Sequence, residues 1–237
     1  MMLKLFSVTI LLSMMQSYLI QAQDSEYYKD AVQLSARLVE KEFSYEIPEH
    51  LIYSIEDALT AISHCSFLAA NTVCHQYDIH SSPTTNTYNL RIIVGKDAAW
   101  SEDLSQTPIH KIFPFLLVKQ HEETDAYFVY DISSENPINM KFIANELSVI
   151  DDIWMVELPS VSKTGNDIKL NRDEAGFFTI LYSLKMGSCE VGCNDRHYWK
   201  FKVSPGGDVE FLGEHGADLS NSEKEEKDFF SLLDEQN

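Results

Sequence analysis

The sequence predicts an α+β fold, because helix-like and strand-like stretches occupy different parts of the chain. Residues 24–43 and 48–62 carry apolar side chains at three- and four-residue spacing, the periodicity of amphipathic helices. Residues 176–213 instead form apolar runs separated by turn residues, which indicates antiparallel strands. We expect five parts in this order: a signal peptide (1–22), a helical hairpin with its connecting loop (23–86), a ferredoxin-like α+β core (87–160), a three-stranded β-meander closed by a disulfide (161–216) and an acidic tail (217–237).

The N-terminal part is predicted to contain two helices. Ser25 is a suitable N-cap for the first helix, because its hydroxyl can accept a hydrogen bond from a free backbone N–H. Pro48 suits the first turn of the second helix, where no N–H donor is needed, and Glu49 complements the positive helix end. Turn-forming residues dominate 75–87, which we interpret as a connection between two layers.

The central part follows the order β-α-β-β-α-β. The predicted helices are 107–113, with Thr107 as N-cap and Pro108 in its first position, and 139–149. This order is the split βαβ pattern of ferredoxin-like domains, in which two right-handed crossovers place both helices on one face of the sheet. The four predicted strands are 88–94, 115–121, 126–132 and 153–158.

The C-terminal part is predicted to be a polar loop, 159–173, followed by a meander. Because side chains alternate along a strand, His197 and Trp199 share one face of the middle strand. We expect both in the core, with the lining of a ligand site as the alternative. Trp100 and Trp154 are interpreted in the same way. The predicted strands are 176–186, 197–203 and 208–213, with a hairpin turn at 204–207.

The first 22 residues have the organisation of a secretory signal peptide. Lys4 is the only charge before Asp24, an apolar run follows it, and Ala22 supplies the small residue expected at a cleavage site. A membrane-anchoring helix is the alternative, but polar residues interrupt the run before it reaches the roughly 20 apolar residues that a span requires. We therefore expect a secreted or periplasmic protein with no integral membrane segment after cleavage.

The chain is strongly acidic, with 18 Lys and Arg against 37 Asp and Glu and a net charge of −19. Such a charge repels phosphates, which disfavours nucleic acids and anionic membranes as partners. Solubility alone explains this composition, and binding of cations or basic partners is the alternative. The expected partner is a protein or a small ligand whose identity the sequence does not give.

The four cysteines predict disulfides, since an even number in an exported chain is typical of them. Cys189 and Cys193 are the favoured pair because the chain between them is short. On one continuous helix Cys65 and Cys74 would be about 13–14 Å apart, beyond the roughly 7 Å that a disulfide allows. Either the helix ends between them, for which Asn71 and Thr72 are suitable breakers, or they are not paired.

Two other roles are open to Cys189 and Cys193. Together with His197 they could hold zinc, and as a thiol pair they could exchange disulfides. A structural disulfide is favoured over both roles in an oxidising compartment, and Cys-x-x-x-Cys is not the Cys-x-x-Cys of redox enzymes.

No catalytic constellation is readable in the chain. It lacks a Gly-x-Ser-x-Gly elbow, a His-Glu-x-x-His pair and a phosphate-binding glycine loop, so we assign no catalytic residue and expect no cofactor. His75 and His80 flank a turn-rich loop, with Cys74 and Asp78 close by, and zinc accepts all four ligand types. A polar loop beside a disulfide cysteine explains the same residues, and we therefore assign no metal.

One segment, Cys189-x3-Cys193-x3-His197-Tyr198-Trp199-x-Phe201-x-Val203, resembles the C-terminal signature of uncharacterised exported proteins of Bacteroidetes-type bacteria. The similarity covers most of the chain and implies export and fold, but it carries over no catalytic residues. The chain departs from many such proteins at Trp154–Pro159, and Cys65 and Cys74 look peculiar to it. Further landmarks of the resemblance are Trp100, Val149–Ile150 and Gly165–Ile168.

Three hypotheses for function follow. The first is a non-catalytic exported protein that binds a partner or supports an envelope or secreted assembly. The second is an inhibitor resembling protease propeptides, because such modules share the ferredoxin-like plan, which is an analogy from fold alone. The third is a metal-dependent enzyme that uses the His75–His80 loop.

Reducing the predicted Cys189–Cys193 disulfide should lower the free energy of unfolding by roughly 2–3 kcal/mol, because the open chain gains conformational entropy when it unfolds. Thermal unfolding with and without reductant measures the change, and a Cys189→Ser variant is the matched control that should no longer respond. An unchanged melting temperature of the native chain on reduction would contradict the pairing.

Overall fold

The protein is described by a computed structural model that covers residues 26–40, 44–82, 86–98, 107–159, 165–186 and 195–219. Within these ranges the chain forms helices and two four-stranded antiparallel sheets, so the predicted α+β class is confirmed. None of the helices in these ranges is both long and apolar enough to cross a bilayer. The predicted signal peptide, Ser25, Trp100, Cys189, Cys193 and nearly all of the predicted acidic tail lie outside the described residues.

The helices and strands are numbered in chain order. The helices are α1 (Tyr28–Val39), α2 (Glu49–His64), α3 (Leu68–Asn71), α4 (Pro108–Ile112) and α5 (Met140–Leu147). The strands are β1 (Asn89–Gly95), β2 (Leu117–Glu123), β3 (Tyr127–Ser133), β4 (Ile153–Glu157), β5 (Asp167–Arg172), β6 (Phe178–Lys185), β7 (Arg196–Val203) and β8 (Val209–Gly216). We call β1–β4 the central sheet and β5–β8 the C-terminal sheet.

The N-terminal helices and the C-terminal sheet share one hydrophobic core. The buried faces of α1 and α2 pack against side chains of β5, β6 and β7. Trp199, Tyr182 and Phe201 are its largest fully buried side chains. Burying each such side chain contributes roughly 1.5–3 kcal/mol. The two ends of the described chain therefore stabilise each other, although the helical hairpin and the meander were predicted as separate parts.

Cys65 and Cys74 do not lie on one continuous helix, because α2 ends before Cys65. Cys65 follows its last residue in an extended conformation, and helix resumes at Leu68 before passing into a π-turn at Thr72–Gln76. The predicted break exists, but it lies at Cys65–Phe67 and not at Asn71 and Thr72, where it was predicted. Asn71 is helical because its backbone N–H donates to the carbonyl oxygen of Phe67 at 3.3 Å.

The prediction of a loop throughout 159–173 was also wrong. Residues Asp167–Arg172 form β5, which pairs antiparallel with β6 and gives the C-terminal sheet the order β5-β6-β7-β8. Ile168 is buried in the shared core and Leu170 packs against it, while Lys169 between them is exposed. This alternation is the pattern of an edge strand with one buried face.

The remaining strands of this sheet agree with the sequence. In β7, His197, Trp199 and Phe201 are buried on one face, as expected from alternation. The predicted hairpin turn joins β7 to β8, with the backbone N–H of Ser204 donating to Asp208 at 2.9 Å. Gly207 in this turn has a φ of 87°, a left-handed conformation that glycine adopts without a steric cost.

The central sheet has a second core of its own. Its strand order is β2-β3-β1-β4, and α4 and α5 pack on the face that carries Leu90, Ile92 and Val94. The predicted cap of α4 is present, and α5 has a side-chain cap that the sequence analysis did not predict. The hydroxyl of Thr107 accepts from His110 N at 3.3 Å, and the side chain of Asn139 accepts from Phe142 N at 3.2 Å. The opposite face of the central sheet has no helix against it within the described residues.

The two cores are joined through the segment between α1 and α2. Glu46 forms a β-bridge with Ile138, and the side-chain amide of Asn139 donates to Ser44 O at 3.0 Å. The backbone N–H of Asn139 donates to Tyr45 O at 2.9 Å, and Tyr45 packs on the second core. These contacts fix where the central unit attaches to the helices.

Replacing Phe201 by alanine should lower the free energy of unfolding by about 3–5 kcal/mol, because it leaves a cavity in the shared core beside Tyr182. Leu212 on β8 is 42% exposed, and its replacement by alanine should change stability by about 0.5 kcal/mol or less. Denaturant unfolding of both variants measures the difference. Equal effects of the two substitutions would contradict the placement of this core.

Candidate functional site

Asp30 is the centre of a buried polar cluster. The cluster lies beneath residues 78–82, the connection that follows the π-turn. Asp30 lies on α1 and is 4% exposed. One carboxylate oxygen accepts from the backbone N–H and the hydroxyl of Ser81, at 2.7 and 2.8 Å. The other oxygen is 2.7 Å from Nδ1 of His80. A buried carboxylate needs such partners, because burial without them would cost several kcal/mol.

His80 is held between two carboxylates. Its Nε2 lies 3.1 Å from Oδ1 of Asp78, a residue with a φ of 46°. Left-handed backbone is uncommon outside glycine, although aspartate adopts it more readily than most residues. The hydrogen bond to Asp30 raises the pKa of His80 from 6.5 to about 9, and Asp78 adds to this shift. The imidazolium form therefore donates to both carboxylates near neutral pH.

A second set of contacts fastens the same connection to β5. Arg37 of α1 donates to the carbonyl oxygens of Ser82 and Ile168, and its guanidinium lies 2.9 Å from Asp167 Oδ1. The same Asp167 oxygen accepts from the backbone N–H of Ser82 at 2.8 Å. We call these contacts, together with those of Asp30 and His80, the connection clamp.

The clamp does not have the arrangement of a hydrolytic triad. The Ser81 hydroxyl donates to Asp30 and not to His80, and both ring nitrogens of His80 face carboxylates. A general base must instead hydrogen-bond to its nucleophile. The geometry fits a role in holding residues 78–82 against α1 and β5.

The structure does not bring His75 and His80 together as predicted ligands. The exposed ring of His75 lies 3.3 Å from the carbonyl oxygen of Ser63, away from the Asp30 cluster. Across the described ranges, no group of three or more His, Cys, Asp or Glu side chains is placed to hold a metal ion. The metal-enzyme hypothesis therefore gains no support from this geometry.

Cys65 and Cys74 are free thiols in the structure. Cys65 is half-buried, whereas Cys74 is buried beside the hydroxyls of Tyr27 and Tyr182. Burial raises the pKa of the Cys74 thiol from 9.0 to about 11, which disfavours the reactive thiolate. Pairing of these two cysteines stays a prediction, as does the Cys189–Cys193 pair.

His197 and Trp199 behave as core residues. Their rings are 4.4 Å apart, and Nδ1 of His197 lies 2.7 Å from the carbonyl oxygen of Ala217. Trp199 is 1% exposed, so it offers no surface to a ligand.

Three clefts, of about 260, 440 and 350 Å³, lie between the N-terminal helices and one end of the C-terminal sheet in the described part of the chain. Arg172 lines two of these clefts and lies over the Phe178 ring.

The face of the central sheet opposite its helices carries a different kind of site. We call it the open face. The strand registers place its side chains in rows across the sheet: Trp154, Gly95 and Tyr127 at one end, then Met155, Ile93 and Val129, then Glu157, Arg91, Asp131 and Lys119. The last row is charged, and Asp131 lies 3.0 Å from both Arg91 and His121. The first two rows are largely apolar.

Trp154 corrects the prediction that this residue lies in the core. It is 60% exposed, and its neighbour Met155 is 50% exposed. The register between β1 and β4 shifts between Ile93 and Val94, which inserts Trp154 as a β-bulge. A bulge disrupts the simple alternation of side chains. Ile153 is buried and Val156 packs on the second core, while the two residues between them face outwards.

Gly95 gives the Trp154 ring its place on the sheet. A Cβ built on Gly95 would lie 2.6 Å from Cε2 and Cζ2 of the indole, closer than real contacts allow. The ring therefore lies directly over the Gly95 backbone, where any other residue would push it away. Glycine within a strand often marks such close approaches. Sequence reasoning missed this site, although four consecutive apolar residues in a short strand, Ile153–Val156, signalled a break in alternation.

Comparison of the chain with protein-family models, with curated proteins and with solved structures gives no match. The resemblance to exported Bacteroidetes-type proteins therefore stays a prediction. Of its signature residues, His197, Tyr198, Trp199, Phe201 and Val203 lie on β7.

A His80→Gln variant should be less stable than the native protein at about pH 6, and the difference should shrink at about pH 10. The folded-state pKa of His80 is raised, so its contribution is fully present below about 6.5 and is lost as the pH rises through about 9. Denaturant unfolding of both proteins across this range measures the difference.

A His75→Gln variant is the matched control, because the exposed ring of His75 lies against the carbonyl oxygen of Ser63 and takes no part in the connection clamp. It should show no comparable loss of stability at about pH 6. A stability difference for His80→Gln that does not change between the two pH values would contradict the charged clamp.

Proposed function

We propose that the protein is an exported, non-catalytic binding module whose open face docks a partner protein. The observation that carries this proposal is the exposed pair Trp154 and Met155, which a bulge turns away from the core. Aromatic residues and methionine are enriched at protein interfaces, and tryptophan often supplies much of the binding energy. Exposed apolar surface costs roughly 25 cal/mol per Å² relative to burial, so docking would recover this energy.

The central unit is proposed to have the ferredoxin-like plan. The strand order β2-β3-β1-β4, the antiparallel pairings and the helices that follow β1 and β3 support it. In this plan the helices cover one face, which leaves the other face available for a partner.

Export is proposed on the sequence alone. The charge pattern of residues 1–22 supports a cleaved signal peptide, and the even number of cysteines fits an oxidising compartment. The resemblance to uncharacterised exported proteins agrees with a secreted or periplasmic location. The acidic composition suits a protein that stays dissolved while it presents an apolar patch.

A protease-propeptide-like inhibitor is the second candidate function. The specific observation in its favour is a sheet face free of helices within the described residues, on a unit with the proposed ferredoxin-like plan. This candidate function rests on an analogy of fold. Measurable inhibition of a serine or metalloprotease, lost in a Trp154→Ala variant, would support it, and no inhibition across a panel of both classes would dispose of it.

A photo-crosslinking residue in place of Trp154 should form a discrete adduct with one protein in cells that produce this chain, whereas the same residue in place of Leu212 should not. Both positions are exposed, but only Trp154 lies on the open face. Mass spectrometry of the two samples identifies the adducts.

Adding the substitution Gly95→Ala to the crosslinking chain should weaken the adduct, because a side chain at 95 displaces the residue at 154 from the sheet. Equal adducts at positions 154 and 212 would contradict the proposed docking face. Turnover in a broad hydrolase screen would contradict a non-catalytic role if a substitution in this chain abolishes it.

A further inference from the structure

We infer that the Trp154 end of the open face binds a positively charged segment of its partner, rich in arginine or lysine. This inference rests on the proposed docking function and names the chemistry of the partner. It follows from the charges at the end of the sheet that carries the exposed tryptophan.

Three chain connections meet at this end of the central sheet. The chain leaves β1 after Gly95, turns between β2 and β3 at residues 124–126, and enters β4 after residues 148–152. Backbone hydrogen bonds hold them together: Gly95 N donates to Asp152 O at 3.3 Å, and Lys96 N donates to Ala126 O at 3.0 Å. These connections therefore lie at the same end of the sheet as Gly95 and the Trp154 ring.

These connections and the adjoining end of β2 are strongly acidic. We call their carboxylates the acidic rim; its members are Asp97, Glu122, Glu123, Asp125, Asp151 and Asp152. All of them are exposed except Asp152, which is half-buried. Lys96 is the one basic residue in these described segments, and its Nζ lies 3.0 Å from Glu123 and 2.9 Å from Thr124 O. The rim therefore keeps an excess of negative charge.

The basic residues elsewhere on the open face do not cancel this charge. Arg91 and His121 both face Asp131, at 3.0 Å each, in the charged row two rows from Trp154. Lys119 lies in the same row as Arg91, on the far side of the sheet from β4. The end that carries the apolar residues is thus the acidic end.

An exposed indole at the same end of the sheet as these carboxylates suits a cationic side chain. The face of tryptophan attracts guanidinium and ammonium groups more strongly than any other aromatic ring, with about 0.5–2 kcal/mol per contact. The carboxylates can pair with the same cation, and arginine offers both a flat surface for stacking and a fork for carboxylates. The net charge of −19 attracts such a partner over a longer range.

The same charges disfavour the other occupants of an apolar sheet face. A second copy of this chain would bring an identical acidic rim to the contact, and like charges across an interface cost several kcal/mol. An anionic membrane or a nucleic acid would be repelled. A basic protein segment satisfies both the apolar surface and the rim.

The test is the binding of a fluorescent peptide of alternating arginine and serine, followed by anisotropy at low salt. The native chain should bind it, and a glutamate–serine peptide should not bind. Trp154→Ala should weaken binding about tenfold. The double variant Asp151→Asn with Asp152→Asn should weaken it about fivefold, through slower association. Raising the ionic strength from about 0.01 M to 0.15 M, which shortens the Debye length from about 30 Å to 8 Å, should weaken it further.

The matched control is Glu135→Gln with Glu174→Gln, which removes two exposed carboxylates from outside the acidic rim. It should leave the affinity within about twofold of native. An equal loss of affinity in this control, or no binding of the arginine peptide, would overturn the inference. Neither result tests the proposed docking function, because the crosslink at position 154 tests that function separately. A crosslinked partner with an acidic contact surface would contradict the inference of a basic partner but would leave the docking function standing.

Discussion

The structure depends on one constraint, which is that the two ends of the chain share a core. Helices α1 and α2 cannot bury their apolar faces against each other alone, and the C-terminal sheet needs them to cover one of its faces. The connection from the π-turn to the central unit must therefore pass beside α1 and β5. Asp30 and Arg37, about two turns apart on the same helix side, hold it there. The buried carboxylate of Asp30 is tolerated at the edge of the shared core because both of its oxygens accept hydrogen bonds.

That constraint makes the central unit an insertion with its own small core. Its helices cover one face of its sheet, and no helix in the described ranges packs on the other. The bulge in β4 then decides the character of the uncovered face, because it adds Trp154 to the outward side without disturbing Ile153 and Val156 inside. Gly95 completes the arrangement by leaving room for the indole. The bulge in edge strand β4 therefore exposes the surface on which the proposed function depends.

The sequence anticipated those elements whose signals are local. Strong periodicity located the helices α1, α2 and α5, and capping residues located even the short α4 at Thr107 and Pro108. Edge strand β5 was missed because most of its residues are polar, and its two apolar residues are too few to outweigh the turn formers beside them. The break after α2 was misplaced for a related reason, since the sequence gives no strong stop signal at Phe67.

The candidate sites could be predicted less well, because the residues that form each site are distant from one another in the chain. His80 was grouped with its sequence neighbour His75, but its main partner, Asp30, precedes it by fifty residues. Trp154 was placed in the core because tryptophan in a strand is usually buried, and a bulge depends on the register with another strand. Contacts of this kind are properties of the fold, which no local pattern encodes.

Amide chemical shifts recorded by NMR during titration with the arginine peptide test the central claim most directly. The account predicts that the shifts of Gly95, Tyr127, Trp154 and Met155 change with one common affinity while those of β5–β8 do not. Shift changes centred on the seam clefts around Arg172, with Trp154 unaffected, would contradict it.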